Sequence, residues 1–220
     1  QSRTPSLWQT LSVSDMDELQ FLPPLRIDER LRALREQAMR VRDPSTPDDV
    51  LRLLLCVARM RAPERMLEIG TAEGLTSVAL LCECREARLT TVELDEERYR
   101  RALVNLSDFG VRERANCILG DAADVLPSLE GKFDLIFLDG PKVQYRKYLP
   151  DCKRLLSPHG VLFADDVLFG GWVNGKNPVP EKRRMLAEHI REYLTAVCAD
   201  EDLITSILDI GEGVAISVKK

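Results

Sequence analysis

The sequence predicts an α/β domain: a mostly parallel seven-stranded sheet with helices on both faces, an antiparallel C-terminal hairpin and extra N-terminal helices. Three observations predict it. From Met66 onward, short apolar runs alternate with segments of helical period. The runs are apolar through their centres, as in Asp134-Leu-Ile-Phe-Leu-Asp139, which suits strands buried on both faces. The last two runs, Leu203–Leu208 and Val214–Val218, are parted only by Asp209-Ile-Gly-Glu-Gly213, a hairpin signal.

The elements follow in order. Ile27, Leu31, Leu34, Ala38 and Val41 recur at helical spacing and predict an amphipathic helix over about 26–41. Asp43-Pro-Ser-Thr-Pro47 interrupts it. Thr46 then reads as an N-cap, with Pro47 first in the helix and Asp49 third; Val50, Leu51, Leu54, Val57 and Ala58 mark that helix. Met66–Ile69 is a short buried strand ending at Gly70. A helix over about 75–84, a strand over 89–93 and a charged helix over about 96–109 come next, the last stopping at Gly110. Cys117–Leu119 and Asp134–Asp139 are the third and fourth strands, separated from the fifth, Gly160–Asp165, by a helix over 145–156. A long helix over 181–199 precedes the hairpin. No repeat, low-complexity tract or linker divides the chain. Residues 1–220 are therefore read as one domain, with a helical part over about 1–60 and the α/β core over 61–220.

Composition excludes several classes. With 45% hydrophobic and 30% charged residues the chain has the balance of a globular protein. No apolar run approaches the roughly 18 residues needed to span a bilayer. The first ten residues lack the basic-then-apolar layout of a signal peptide, so a cytoplasmic protein with no membrane partner is expected. The net charge of −5 does not indicate a nucleic-acid binder globally. Basic residues do crowd locally, at Arg26, Arg30, Arg32, Arg35, Arg40 and Arg42 and again at Lys182-Arg-Arg184. The six cysteines form no C-x-x-C pair and sit in apolar runs, so reduced, mostly buried thiols are expected.

The residues with chemistry gather at the ends of the expected strands. Glu68-Ile-Gly70-Thr71-Ala-Glu-Gly74 ends the first strand, and its two glycines let the backbone turn tightly and approach a ligand. The G-x-G-x-x-G pattern is incomplete, which favours a compact nucleoside over a pyrophosphate; the alternative is an ordinary strand-to-helix turn. Glu93 ends the second strand, where a carboxylate can accept both hydroxyls of a ribose. Gly120-Asp121-Ala122 follows the third strand at the same edge. Asp139 ends the fourth strand and Asp165-Asp166 the fifth. Three carboxylates in one crevice repel unless a cation intervenes, and oxygen-only ligands suit Mg²⁺ or another hard divalent ion. Lys142, three residues past Asp139, reaches the same crevice as a candidate base with its pKa lowered by the metal; the alternative is a solvated lysine beside Arg146 and Lys147.

Together, Met66-Leu-Glu-Ile-Gly-Thr-Ala-Glu-Gly74, Glu93, Gly120-Asp-Ala122, Phe133-Asp-Leu-Ile-Phe-Leu-Asp-Gly-Pro-Lys142 and Ala164-Asp-Asp-Val-Leu-Phe-Gly-Gly171 resemble the cation-dependent O-methyltransferases, a Rossmann-like class I methyltransferase family that includes catechol and caffeoyl-CoA O-methyltransferases. The resemblance runs over about 38–218. Asp139–Tyr145, Asp166–Gly170 and Leu208–Ile216 are similar to its bacterial branch containing tRNA 5-hydroxyuridine methyltransferase. It implies S-adenosylmethionine as cofactor, held by Glu68, Gly70, Thr71, Gly74, Thr76, Glu93, Asp121, Ala122 and Asp139, with Val41 covering it. It implies a divalent metal on Asp139, Asp165 and Asp166, Lys142 as base, and a homodimer. The family usually carries Asn at the position of Asp166, and Glu73 sets an unaccounted carboxylate near the cofactor's entrance.

The implied reaction is in-line attack of a hydroxyl oxygen on the sulfonium methyl, with a cation lowering the hydroxyl's pKa. The acceptor is either 5-hydroxyuridine in a tRNA anticodon stem-loop, with the basic clusters holding phosphates, or a small molecule with vicinal oxygens. An NAD-linked oxidoreductase or a non-catalytic nucleotide-binding module would share the glycine turn and Glu93 without needing the three aspartates. The loop over 169–180, with Trp172, is expected to border the substrate and, from its glycines, to be mobile.

Overall fold

The computed structural model describes residues 29–40 and 46–220. Val41, expected over the cofactor, lies outside the described residues, as do Arg26, Arg42 and the first turn of the expected leading helix. The element order is α1 (Glu29–Arg40), α2 (Asp48–Arg61), β1 (Arg65–Ile69), α3 (Leu75–Glu83), β2 (Arg88–Glu93), α4 (Glu96–Asp108), β3 (Ala115–Leu119), α5 (Ala122–Ser128), β4 (Phe133–Leu138), α6 (Tyr145–Leu155), β5 (Leu156–Ala164), α7 (Arg184–Ala199), β6 (Leu203–Leu208) and β7 (Val214–Lys219).

The strands form one sheet in the order β3-β2-β1-β4-β5-β7-β6. The first five are parallel, and β7 joins β5 antiparallel with β6 beyond it as the edge. Strand side chains alternate between faces, so each face of the sheet has its own core. Leu67, Ile69, Ile136, Leu138, Leu162 and Ala164 face α6 and α7. Met66, Leu135, Phe137, Phe163 and Val214 face α2 and α3. The order reverses direction at β1 and β4, which places a crevice beyond their carboxyl ends, where open α/β sheets bind ligands.

Several local expectations are corrected. Thr46 does not cap α2: Pro47 holds the cap position without a side-chain bond, and the Thr46 hydroxyl pairs with Thr76 Oγ1 at 3.0 Å. The helix therefore begins at Asp48, and Asp49 is its second residue, its carboxylate accepting from Val50 N and from Gly211 N in the C-terminal hairpin. β5 begins at Leu156, earlier than expected, across a register shift opposite Phe133–Leu135. The long last helix opens with a 3₁₀ turn over Glu181–Arg183. α5 was not foreseen; Asp121 caps it by accepting from Ala123 N at 2.8 Å, and Pro127 inside it hides the helical pattern. Of the cysteines only Cys152 is buried, while Cys56, Cys82 and Cys198 are exposed. Their neighbours in the apolar runs take the inward helical positions. None is in a disulfide. Among the described residues no helix is long and apolar enough to cross a membrane.

Candidate functional site

Four chain segments leave the sheet at one edge. Gly70 N donates to Val92 O (3.0 Å), Gly120 N to Glu93 O (2.8 Å), Asp139 N to Ile69 O (2.9 Å) and Asp165 N to Leu138 O (3.0 Å). Each bond carries the ladder one residue past a strand end, and the chains then diverge around a cavity of about 1040 Å³. Gly70, Glu93, Asp121, Ala122, Asp139, Lys142, Asp165 and Asp166 all line it. At Gly70 φ is +98°; a Cβ there would press on the Asp139 carbonyl oxygen and lie 2.9 Å from its carbon. Only glycine lets the exits of β1 and β4 cross so closely.

At the end of β2 Glu93 is buried. Its Oε2 accepts from Ala72 N at 2.7 Å and its Oε1 from Asp95 N at 2.9 Å. These bonds fix the carboxylate, and each oxygen keeps a further lone pair. Leu94, Asp95, Arg98 and Tyr148 complete this wall, none of them foreseen as site residues.

Glu68, Thr71, Gly74 and Thr76 do not line the cavity. Glu68 lies beneath it, fully buried, accepting from Ser77 Oγ and from Thr91 Oγ1 (2.7 Å). Thr71 Oγ1 pairs with the same Thr91 hydroxyl at 2.5 Å. Burial pushes the Glu68 carboxyl up to about 8; the bonds from Ser77 and Thr91 oppose this, and the charges of Asp139 and Glu93 add to it. Gly74 opens α3 against Ala102 of α4. Thr76 holds Thr46, which does reach the cavity. Glu73 points away from the entrance: it is buried against Arg101 of α4, with Nε to Oε1 at 2.8 Å. Asn105 Nδ2 also donates to the Glu73 carbonyl. This carboxylate fastens the turn to α4.

Beyond the ends of β4 and β5 Asp139, Asp165 and Asp166 meet as expected, but Lys142 stands between two of them. Its Nζ lies 2.5 Å from Asp139 Oδ1 and 2.9 Å from Asp166 Oδ2. Among the described residues no three His, Cys, Asp or Glu side chains are arranged to hold a metal ion. Asp165 is buried, and its Oδ1 accepts from Asp166 N at 2.7 Å. Burial, then the charges of Asp139 and Asp166, push it up to about 8. The side-chain neighbours of Lys142 raise its pKa. Burial works against its charge, but Tyr145, Asp139 and Asp166 overcome that and hold it well above the ordinary lysine value. Asp166 has φ +57°, a left-handed conformation that Asp and Asn tolerate best among residues with a side chain.

The remaining wall comes from far along the chain. Phe169 and Trp172, with ring centroids 5.3 Å apart, line the cavity beside Gly170 and Glu212. The loop expected to be mobile is tied down at several points. Val167, Leu168 and Phe169 donate backbone bonds to Gly213 and Glu212, and the Glu212 carboxylate accepts from Gly170 N. Arg191 Nη2 donates to Trp172 O at 2.6 Å. Glu212 was missed because only the tertiary fold brings the hairpin turn here. Tyr145 and Tyr148 were legible in principle, at helical spacing from Lys142.

A parallel sheet with an antiparallel end, and a nucleoside-sized crevice bounded by Gly70 and Glu93, define a class I methyltransferase fold. A methyltransferase-domain family profile matches residues 67–167. The chain is 30% identical over 149 residues to O-methyltransferase hkm8 of Aspergillus hancockii, covering 62% of this chain and 59% of that protein, less than two thirds of its length. It is 27% identical over 192 residues to a Mycobacterium tuberculosis protein named as an O-methyltransferase, covering 86% and 84%. The S-adenosylhomocysteine-bound methyltransferase PaMTH1 of Podospora anserina superposes with a TM-score of 0.77 at 25% identity, covering 87% and 86%. The chain thus has the fold of a class I methyltransferase and is similar over most of its length to proteins named as O-methyltransferases.

Proposed function

We propose that this enzyme methylates a hydroxyl of a small molecule bearing two vicinal oxygens, at the carboxyl ends of β4 and β5. The observation that carries the proposal is the cluster of Asp139, Asp165, Asp166 and Lys142 in the same crevice as Gly70 and Glu93. Glu93 receives the ribose hydroxyls, with Asp121 and Ala122 along the base. Phe169 and Trp172 supply apolar faces for a planar acceptor and keep water from the methyl group. The crevice aligns oxygen, methyl and sulfur, which is the larger part of what such a transfer needs.

A divalent cation belongs to the proposal. The three aspartates offer only oxygen donors, and their crowding, which raises Asp165 to about 8, is what a hard cation would relieve. When bound, such an ion supplies Lewis acidity to the acceptor's oxygen pair. Lys142 must then withdraw from Asp139 and Asp166. Freed from both carboxylates while still buried, it would lose two of the influences that keep it charged, Asp139 and Asp166, which favours its taking the hydroxyl's proton.

A tRNA acceptor is less well supported. Among the described residues seven carboxylates line the cavity against two cations, Arg98 and Lys142, and repel a phosphate backbone. Three of the described basic residues are engaged elsewhere: Arg30 on the Asp108 carbonyl and Phe109 ring, Arg35 on Asp48, Arg184 on Glu181. The test is labelled methyl transfer from S-adenosylmethionine to a catechol panel and to total tRNA, each with Mg²⁺ and with EDTA. Label on catechols that EDTA abolishes is expected. Label only on tRNA overturns the small acceptor, and undiminished transfer in EDTA overturns the cation. The homodimer is carried forward as a proposal too; sedimentation velocity showing only a 24.9 kDa species at micromolar concentration refutes it.

A further inference from the structure

Lys142 is held by more than its two aspartates. Tyr145, one helical turn on, is fully buried at the start of α6. Its hydroxyl lies 2.9 Å from Leu138 O and 3.1 Å from Asp165 O, at the ends of β4 and β5. Its single proton is committed to those carbonyls, so towards Lys142 Nζ, 3.0 Å away, the oxygen acts as acceptor. An ammonium has three N–H donors. Those of Lys142 meet three oxygens: Asp139 Oδ1, Asp166 Oδ2 and Tyr145 Oη. The first two can be claimed by other ligands of the crevice. The third is fixed to the sheet backbone. The Tyr145 ring is itself clamped edge-on by Tyr193 of α7, with centroids 5.4 Å apart at 77°.

We infer that Tyr145 is a positioning residue for methyl transfer: its hydroxyl anchors Lys142 Nζ to the ends of β4 and β5, so that the amine stays in the crevice when it leaves the carboxylates. This rests on the methyl-transfer reading of the site. Tyr145→Phe removes the anchor and the bond to Asp165 O, while Leu138 O keeps its bond from Asp165 N at 3.0 Å and the ring keeps its packing. A lysine free to swing loses its alignment with the acceptor oxygen, and misplacement of about 1 Å costs on the order of a hundredfold in rate.

The test is a double-mutant cycle of Tyr145→Phe and Lys142→Met, with catechol as acceptor and Mg²⁺ present. Tyr193→Phe is the control, since the Tyr193 hydroxyl has no hydrogen-bond partner among the described residues. Tyr145→Phe is expected to lower kcat roughly ten- to a hundredfold, with KM for S-adenosylmethionine and calorimetric affinity for S-adenosylhomocysteine within about twofold of wild type. In the Lys142→Met background the same change should cost less than about twofold. An unchanged kcat, or an equal loss in both backgrounds, overturns the inference while wild-type turnover keeps the methyl-transfer reading intact. If the wild type turns over no acceptor, that reading fails. The anchor is then judged by thermal unfolding: Tm losses that fail to add support it, and losses that add refute it.

Discussion

Replacing Glu68 by Gln isolates one buried carboxyl whose proton the fold retains. Burial raises it from 4.5 to about 8, despite the bonds from Ser77 and Thr91. A carboxyl bound more tightly to its proton in the folded state stabilises fully below its unfolded value. That contribution is lost as pH rises from 4.5 to about 8, because the unfolded chain has released the proton and the folded one has not. At about 1.4 kcal/mol per pH unit, the loss between pH 5 and pH 8 has a ceiling of roughly 4 kcal/mol. Gln has no proton to lose. Its amide introduces a constant offset, since Glu68 Oε1 already lacks a partner. The difference in unfolding free energy between Glu68→Gln and wild type should therefore move in favour of the variant across this range. Urea denaturation at pH 5, 6.5 and 8 measures it; Asp165 titrates alike in both proteins and cancels. Because Glu68 lies under the crevice, affinity for S-adenosylhomocysteine at pH 6.5 should stay within about threefold. A pH-independent difference refutes the linkage, and a collapse of cofactor affinity refutes the placement.

Three other substitutions probe the site and its frame. Glu93→Ala should weaken S-adenosylhomocysteine binding by about 2–4 kcal/mol in calorimetry, since it removes a charged acceptor for the ribose and frees Ala72 N and Asp95 N; unchanged affinity would place the ribose elsewhere. Gly70→Ala should destabilise the fold by about 2 kcal/mol or more in urea, through a left-handed φ and the clash with Asp139, and should lower activity as Asp139 shifts. Arg101→Met strands the buried Glu73 carboxylate and should cost about 3 kcal/mol while sparing cofactor affinity. A loss of binding in that variant without a loss of stability would return Glu73 to the cofactor's entrance.

The fold was legible because its signals are local. Apolar strand centres, helical periods and the hairpin turn are each written in a few consecutive residues, and β1 to β7 stand where those signals lie. Several misses share a cause, a partner outside the local segment. Thr46 has an N-cap's identity and neighbours, but Thr76 competes for its hydroxyl. Glu73 gives no local sign that Arg101, 28 residues on, will claim it. Lys142 was placed correctly, yet its protonation depends on Tyr145 and Asp166 as much as on Asp139.

The site residues divide along the same line. Gly70, Asp139 and Asp165 each follow the last residue of a strand, and each N–H bonds a carbonyl at or next to the end of the adjoining strand. A parallel sheet sets all its carboxyl ends on one edge, so strand ends read from sequence already determine which side chains converge. Glu68 shows the limit of that rule. It lies one residue before Ile69, the last of β1, so the pleat aims it into the layer beneath α3, at Ser77 and Thr91, while Gly70 reaches the crevice. Family resemblance assigns both to the cofactor. Position relative to the strand's end assigns one to the ligand and the other to the support beneath it.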